Sequence, residues 1–205
     1  MKKALALILA LICLMSVCPV FAEGELYPIR FGTVEWLSAP EALAQYLAND
    51  EHSWTELTEG IRHGKLFYGM IGVVAGGQLG FYGDANIDPQ WEKVLWEGQA
   101  EPKEPVLCAG QKIRQIYPVY VQDGKEKKLI SVTVGLRTMV KDFPKVRTEL
   151  VKTYGEPFID LDWLSVWSDP DSETDSTLLA LMKGGNSLDV IYCEPAVEAL
   201  LNSAK

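Results

Sequence analysis

The chain reads as an α+β protein: an antiparallel sheet of hairpins with one or two amphipathic helices packed on one face. Three observations predict it. Strand-like runs rich in Val, Ile and Tyr recur along the second half, paired around turn signals that contain glycine. Helical periodicity is confined to a few short stretches, and these do not alternate with the strands as a parallel βαβ sheet requires. Hydrophobic residues make up 48% of the 205 residues, enough to supply one sizeable core.

The first stretch is a targeting signal rather than part of that fold. Met1-Lys2-Lys3 is a short basic region, Ala4 to Val17 is almost wholly apolar, and Pro19 breaks the run. Val20-Phe21-Ala22 then puts tolerated residues at −3 and −1 before Glu23, the pattern of a cleaved secretory leader. The apolar run is shorter than the roughly 20 residues that a spanning helix needs. Cys18 offers lipidation as the competing fate, but Met15-Ser16-Val17 is a poor lipobox. The expected division is therefore residues 1–22 as signal peptide and 23–205 as a single α+β domain, secreted or otherwise extracytoplasmic, with no membrane span after cleavage.

Ile29–Trp36 alternates loosely and is a candidate strand. Ser38 followed by Pro40 and Glu41 has capping-box spacing, and Ala42, Leu43, Tyr46 and Leu47 form the apolar face of the helix it opens. Ser53 and Glu56 repeat that spacing before a second, shorter helix with Trp54, Leu57 and Ile61 on one side. Lys65–Val74 and Gln78–Tyr82 read as strands around Ala75-Gly76-Gly77. Gly83–Pro105 reads as loop, with a short helix through Trp91–Trp96.

Val106–Val121 and Leu129–Leu136 flank Gln122-Asp123-Gly124 and predict a long antiparallel hairpin. Asp142–Tyr154 is the clearest helix. Asp142 is placed as N-cap, Pro144 falls in the first turn, and Phe143, Val146, Leu150 and Tyr154 share one face. Gly155 can take the left-handed conformation that ends a helix, and Pro157 stops it resuming. Ile159, Leu161 and Trp163 alternate with Asp160 and Asp162 in a further strand. Thr177–Met182 and Ser187–Tyr192 flank Lys183-Gly184-Gly185-Asn186 as another hairpin, and Pro195–Leu201 closes with a helical turn or two.

Trp36-Leu37-Ser38 followed by Pro40-Glu41-Ala42-Leu43, and later Tyr154-Gly155-Glu156-Pro157, resemble small exported α+β proteins of anaerobic Gram-positive bacteria. More distantly, a helix ending in Gly-x-Pro beside a meander is similar to small envelope-assembly lipoproteins of the BamE type. The resemblance implies an exported binding or assembly role and brings no catalytic residues with it.

Charge narrows the partners. The chain carries −9 at pH 7, and loss of Lys2 and Lys3 with the leader makes it more acidic still. Such a chain repels nucleic acid and anionic membrane surfaces. Cys108 and Cys193 remain after cleavage, each at a predicted strand end; they are either a disulfide or two buried thiols.

Three constellations could carry chemistry. Asp169, Asp171, Glu173 and Asp175 offer alternating hard oxygen ligands that would suit calcium, although Thr174 and Ala180 stand where an EF-hand loop needs Gly and Glu. The bland alternative is a solvated acidic loop. Of the six tryptophans, Trp91 and Trp96 stand in the loop-like region and could stack on sugars, whereas Trp163 and Trp167 fit a core. The histidines, His52 and His63, flank the short second helix with no cysteine nearby in sequence. No nucleophile elbow, HExxH, SxxK or P-loop pattern occurs. The expectation is an exported, non-enzymatic domain binding a protein or glycan partner at the envelope or outside it. The alternatives are a carbohydrate- or cell-wall-binding module, and a small carboxylate-dependent hydrolase.

Overall fold

Antiparallel pairing organises the chain. The computed structural model describes residues 29–59, 95–168 and 177–194. The leader, the strands expected at Lys65–Val74 and Gln78–Tyr82, the acidic run Asp169–Asp175 and the turns at Pro195–Leu201 lie outside the described residues. In chain order the elements are α1 (Pro40–Asn49), β1 (Thr58–Glu59), β2 (Leu95–Gln99), β3 (Leu107–Cys108), β4 (Gln111–Asp123) and β5 (Glu126–Leu136). After a 3-10 turn at Val140–Asp142 come α2 (Phe143–Tyr154), β6 (Ile159–Leu161), β7 (Leu164–Ser168), β8 (Leu178–Gly184) and β9 (Ser187–Cys193).

The strands form one nine-stranded sheet in the order β1-β2-β4-β5-β9-β8-β7-β6, with β3 hairpinned onto β4. Every pairing is antiparallel. The chain is thus α+β and dominated by strands. The β4–β5 and β8–β9 hairpins turn where the glycines predict, with Gly124 at φ 62° and Gly185 at φ 60°.

Successive strand residues face opposite sides, so the register defines two faces. On the first, Ile116, Val132, Val134, Trp167, Leu179, Leu181, Val190 and Tyr192 belong to one buried cluster, which also takes in Leu43 and Leu47 of α1 and Phe143, Val146 and Leu150 of α2. On the second, Leu164, Val166, Ala180, Met182 and Ile191 form a smaller cluster. Trp163 and Trp167, expected in one core, divide between these faces: Trp167 is buried on the first, and Trp163 packs partly buried against the second.

Local signals misplaced several boundaries. Ser38 and Glu41 do not make a capping box, because α1 begins at Pro40 with Ala39 as an N-cap without a side-chain bond; the Ser38 hydroxyl donates instead to the Glu35 carbonyl at 2.7 Å. Asp142 does not cap α2 through its side chain either. Its carboxylate receives the Thr138 hydroxyl at 2.7 Å and the Met139 N–H at 3.4 Å, one turn earlier, and so organises the 3-10 turn. The strand expected at Ile29–Trp36 is a run of turns tied to the sheet, with Leu37 N–H donating to Leu129 O and Leu129 N–H to Ser38 O, both at 2.9 Å.

The helix expected after Ser53 is extended in its described part. Thr55 N–H donates to Glu101 O and Lys103 N–H to Ser53 O, both at 2.8 Å, and Thr58–Glu59 pairs with β2. The helix expected through Trp91–Trp96 is replaced in its described part by the start of β2, held between β1 and β4. The long strand from Val106 breaks at Ala109 and Gly110, both left-handed at φ 46° and 69°, which reverses the chain between β3 and β4.

Candidate functional site

A cleft opens where α1, the lead-in segment, the β3–β4 turn and the C-terminal half of α2 meet above the first face. Helical spacing sets one wall. Tyr46 follows Leu43 by three residues, so it rises beside the buried stripe of α1, and Asp50 follows one turn later. The chain then turns so that the Trp54 indole N–H donates to Asp50 Oδ2 at 2.6 Å. Gly32 lies beneath the Tyr46 ring at φ 59°, and a Cβ there would collide with the ring. Phe31 meets Tyr46 edge to face at 5.9 Å and Tyr192 at 5.8 Å between ring centroids.

The floor is polar within an apolar surround. The Tyr192 phenol hydrogen-bonds both the Cys108 thiol and the Tyr154 phenol, joining β9, β3 and α2. Burial pushes the Cys108 thiol up to about 11, against the opposing effect of its bond with Tyr192. Burial raises Tyr154 and, more strongly, Tyr192. A thiol held that high stays protonated at neutral pH and is a poor nucleophile.

Two hollows make up the cleft. One, of about 420 Å³, is lined about equally by apolar and polar groups, among them the rings and aliphatic side chains of Phe31, Trp54, Val106, Leu107, Tyr154 and Tyr192 and the polar side chains of Arg30, His52 and Thr153. The other, of about 590 Å³, runs between the lead-in and α1 and is lined by Thr33, Glu35, Ser38, Gln45 and Asn49. Tyr46, Asp50 and Glu51 line both. Burial, then the Asp50 charge, raise the Tyr46 phenol. His52 Nε2 lies 3.6 Å from Glu51 Oε1.

Of the residues singled out from sequence, His52 and Cys108 line the cleft. Trp91, His63, Asp169, Asp171, Glu173 and Asp175 lie outside the described residues. Trp96 pairs with Tyr120 across β2 and β4; its indole N–H donates to Gln122 Oε1 at 2.6 Å, and Lys127 Nζ stands 3.4 Å from its ring centroid. Cys108 and Cys193 are free thiols. Cys108 contacts Tyr192, and Cys193, the next residue on β9, faces the other side of the sheet, so the pair is separated by the sheet itself. Burial pushes the Cys193 thiol up to about 12.

Among the described residues no group of three or more His, Cys, Asp or Glu is placed to hold a metal ion, and no helix is long and apolar enough to cross a membrane. Sequence reading missed the cleft because its parts are far apart in the chain. The available signal was the Leu/Tyr face shared by the two helices, which carries Tyr46 and Tyr154. Searches of family models, curated proteins and solved structures returned no match for this chain.

Proposed function

We propose that the chain is an exported, non-enzymatic binding domain that holds a partner at the cell envelope or outside it, and that the cleft is where the partner docks. One observation carries the reading: an open hollow of about 420 Å³ whose lining combines a group of aromatic rings with polar side chains in about equal measure. Ligand sites have that size. In this reading both helices cover the first face of the sheet, α1 and α2 wall the cleft, and the leader accounts for export.

The chemistry favours binding over turnover. The Cys108 thiol sits too high to serve as a nucleophile, and the Tyr192 and Tyr154 phenols beside it are raised in the same direction. The glycan reading built on Trp96 is disfavoured by the Gln122 and Lys127 contacts.

Leu107→Arg tests the cleft. Leu107 is 62% exposed at its mouth, so a long charged side chain there obstructs the hollow without disturbing a core. The secreted chain and the variant are compared by thermal shift against oligosaccharides, peptidoglycan fragments and capped peptides. A ligand at a hundred times its Kd stabilises by about 2.7 kcal/mol. The expected result is a raised midpoint for one ligand class in the wild type and none in the variant. Equal shifts in both proteins would move the site away from the cleft, and no shift in either would remove the support for it.

A further inference from the structure

We infer that residues 30–35 form a displaceable strap, and that the Phe31 ring it carries fills the place between Tyr46 and Tyr192 that an aromatic side chain of a protein partner takes when the strap lifts. This rests on the reading of the cleft as the docking surface and adds what closes it and what enters.

The ring contacts carry the argument. Phe31 meets Tyr46 of α1 and Tyr192 of β9 edge to face in nearly the same geometry, at 5.9 and 5.8 Å between centroids and 67° and 66° between planes. All three rings line the smaller hollow. Edge-to-face pairs at this spacing add to what burial of the ring contributes, and an aliphatic side chain cannot supply them. A slot between two tyrosines that already holds a phenyl ring is matched to a phenyl ring, whichever chain supplies it.

The strap that carries Phe31 is held at its ends. Ile29 is buried, the Trp36 indole N–H donates to Thr177 Oγ1 at 2.7 Å, and the Leu37 N–H donates to Leu129 O at 2.9 Å. Between these anchors Arg30, Gly32, Thr33 and Glu35 are exposed, and Phe31 and Val34 are half-buried. The strap's backbone–backbone hydrogen bond among the described residues is Val34 N–H to Phe31 O, at the long distance of 3.4 Å. Segments of this kind open locally at low cost. Leu37 adds strain where the strap joins the sheet, being left-handed at φ 63° although it is not glycine. Against α1 the strap closes through Gly32, which fits beneath the Tyr46 ring only because it has no Cβ.

The test follows the Phe31 ring itself by fluorine NMR of the secreted chain labelled with fluorophenylalanine, the Phe31 signal being assigned by its loss in Phe31→Leu. The probe is N-acetyl-phenylalaninamide, added to about 20 mM. The Phe31 signal is expected to move to the position of a solvent-exposed ring as the probe is added, while that of Phe143, buried in the core, stays where it is. A Phe31 signal that stays in place overturns the proposal. So does one displaced by an oligosaccharide and not by the amide, which would put a glycan in the slot. Gly32→Ala drives the strap off the Tyr46 ring. It should bind the probe about tenfold more tightly, as a strap closed about nine-tenths of the time dictates. Its melting midpoint should fall by no more than about 3 °C. Unchanged affinity, or a larger fall, would make residues 30–35 a fixed part of the core. Probe binding that survives Leu107→Arg would put the amide outside the cleft and overturn the exchange of rings. If the strap proposal fails, the cleft still stands or falls on the Leu107→Arg comparison with the other ligand classes.

Discussion

The two faces of the central sheet are built on different principles, although the same strands supply both. The first is largely apolar: Val132, Val134, Leu179, Leu181, Leu188 and Val190 are all essentially inaccessible, and residues from both helices join them. The second is apolar only toward β7, where Leu164, Val166, Ala180, Met182 and Ile191 cluster. Toward β4 it turns polar and small. Thr133 stands between Tyr117 and Ile191, Ser131 between Val119 and Cys193, and Gly135 between Gln115 and Asp189.

Ser131 and Thr133 are buried, yet their hydroxyls have no hydrogen-bond partner among the described residues, nor do Arg114 Nε, Asp189 Oδ1 and, in the first cluster, the Tyr120 phenol oxygen. Burying a polar group without a partner costs about 1–3 kcal/mol. Stability is therefore concentrated on the first face, where Tyr120 is the one unpartnered buried group among the described residues, and the second holds most of the groups that oppose it. Substitutions on the two faces should have opposite signs.

The largest effect is expected at Trp167. Its indole fills the first face at 2% exposure, and its N–H donates to the Gly155 carbonyl at 2.8 Å, fastening the end of α2 to β7. Trp167→Ala should destabilise by about 3–5 kcal/mol in urea denaturation. A loss below about 1 kcal/mol would mean that α2 is held by other contacts and that the first face is not the stabilising one.

Asp189 sharpens the comparison through pH. Burial raises its carboxyl from 3.8 to about 6, against the Arg114 charge that lowers it. The folded state thus holds this proton more tightly than the unfolded state. The associated stability is full below about pH 4 and is lost as pH rises through about 6. Asp189→Asn should match the wild type near pH 4 and exceed it by about 1–3 kcal/mol at pH 7. A variant less stable than the wild type at pH 7 would show that pairing with Arg114 outweighs burial.

Thr133→Val is the smallest of the three and the most direct probe. It keeps the side-chain shape and removes the unpartnered hydroxyl, so it should stabilise by about 1 kcal/mol. A loss of similar size would show that the hydroxyl is satisfied and that the second face is better built than its contacts suggest.

Legibility from sequence followed the range of the interactions. α2 and the β4–β5 and β8–β9 hairpins could be read because their signals are local: the 3.6-residue stripe through Phe143, Val146 and Leu150, and the turns at Gly124 and Gly185. The caps failed by a residue or a turn, since Ser38 and Asp142 each found a nearer backbone partner than the helix they precede. β1 and β2 were misread because Trp54–Leu57 and Trp91–Trp96 carry no decisive periodicity of their own. Their extended form depends on partners some forty residues away, such as Thr58 with Gln99.

The candidate site was the least legible part. Tyr46, Asp50, Cys108, Tyr154 and Tyr192 come from four separate places in the chain, and each has an ordinary role on its own element. Phe31 illustrates the point: nothing around it in sequence marks it, yet it joins the rings of α1 and β9.

The sequence by itself determined the α+β class, the clearest helix and two hairpins, because side-chain periodicity and glycine's access to positive φ act over a few residues. Tertiary structure alone decided the strand order, the separation of Cys108 from Cys193 by the sheet, and the cleft that gathers aromatic rings and carboxylates. Those depend on which distant strands pair and in what register, and a one-residue change of register would turn every side chain of a strand to the other face.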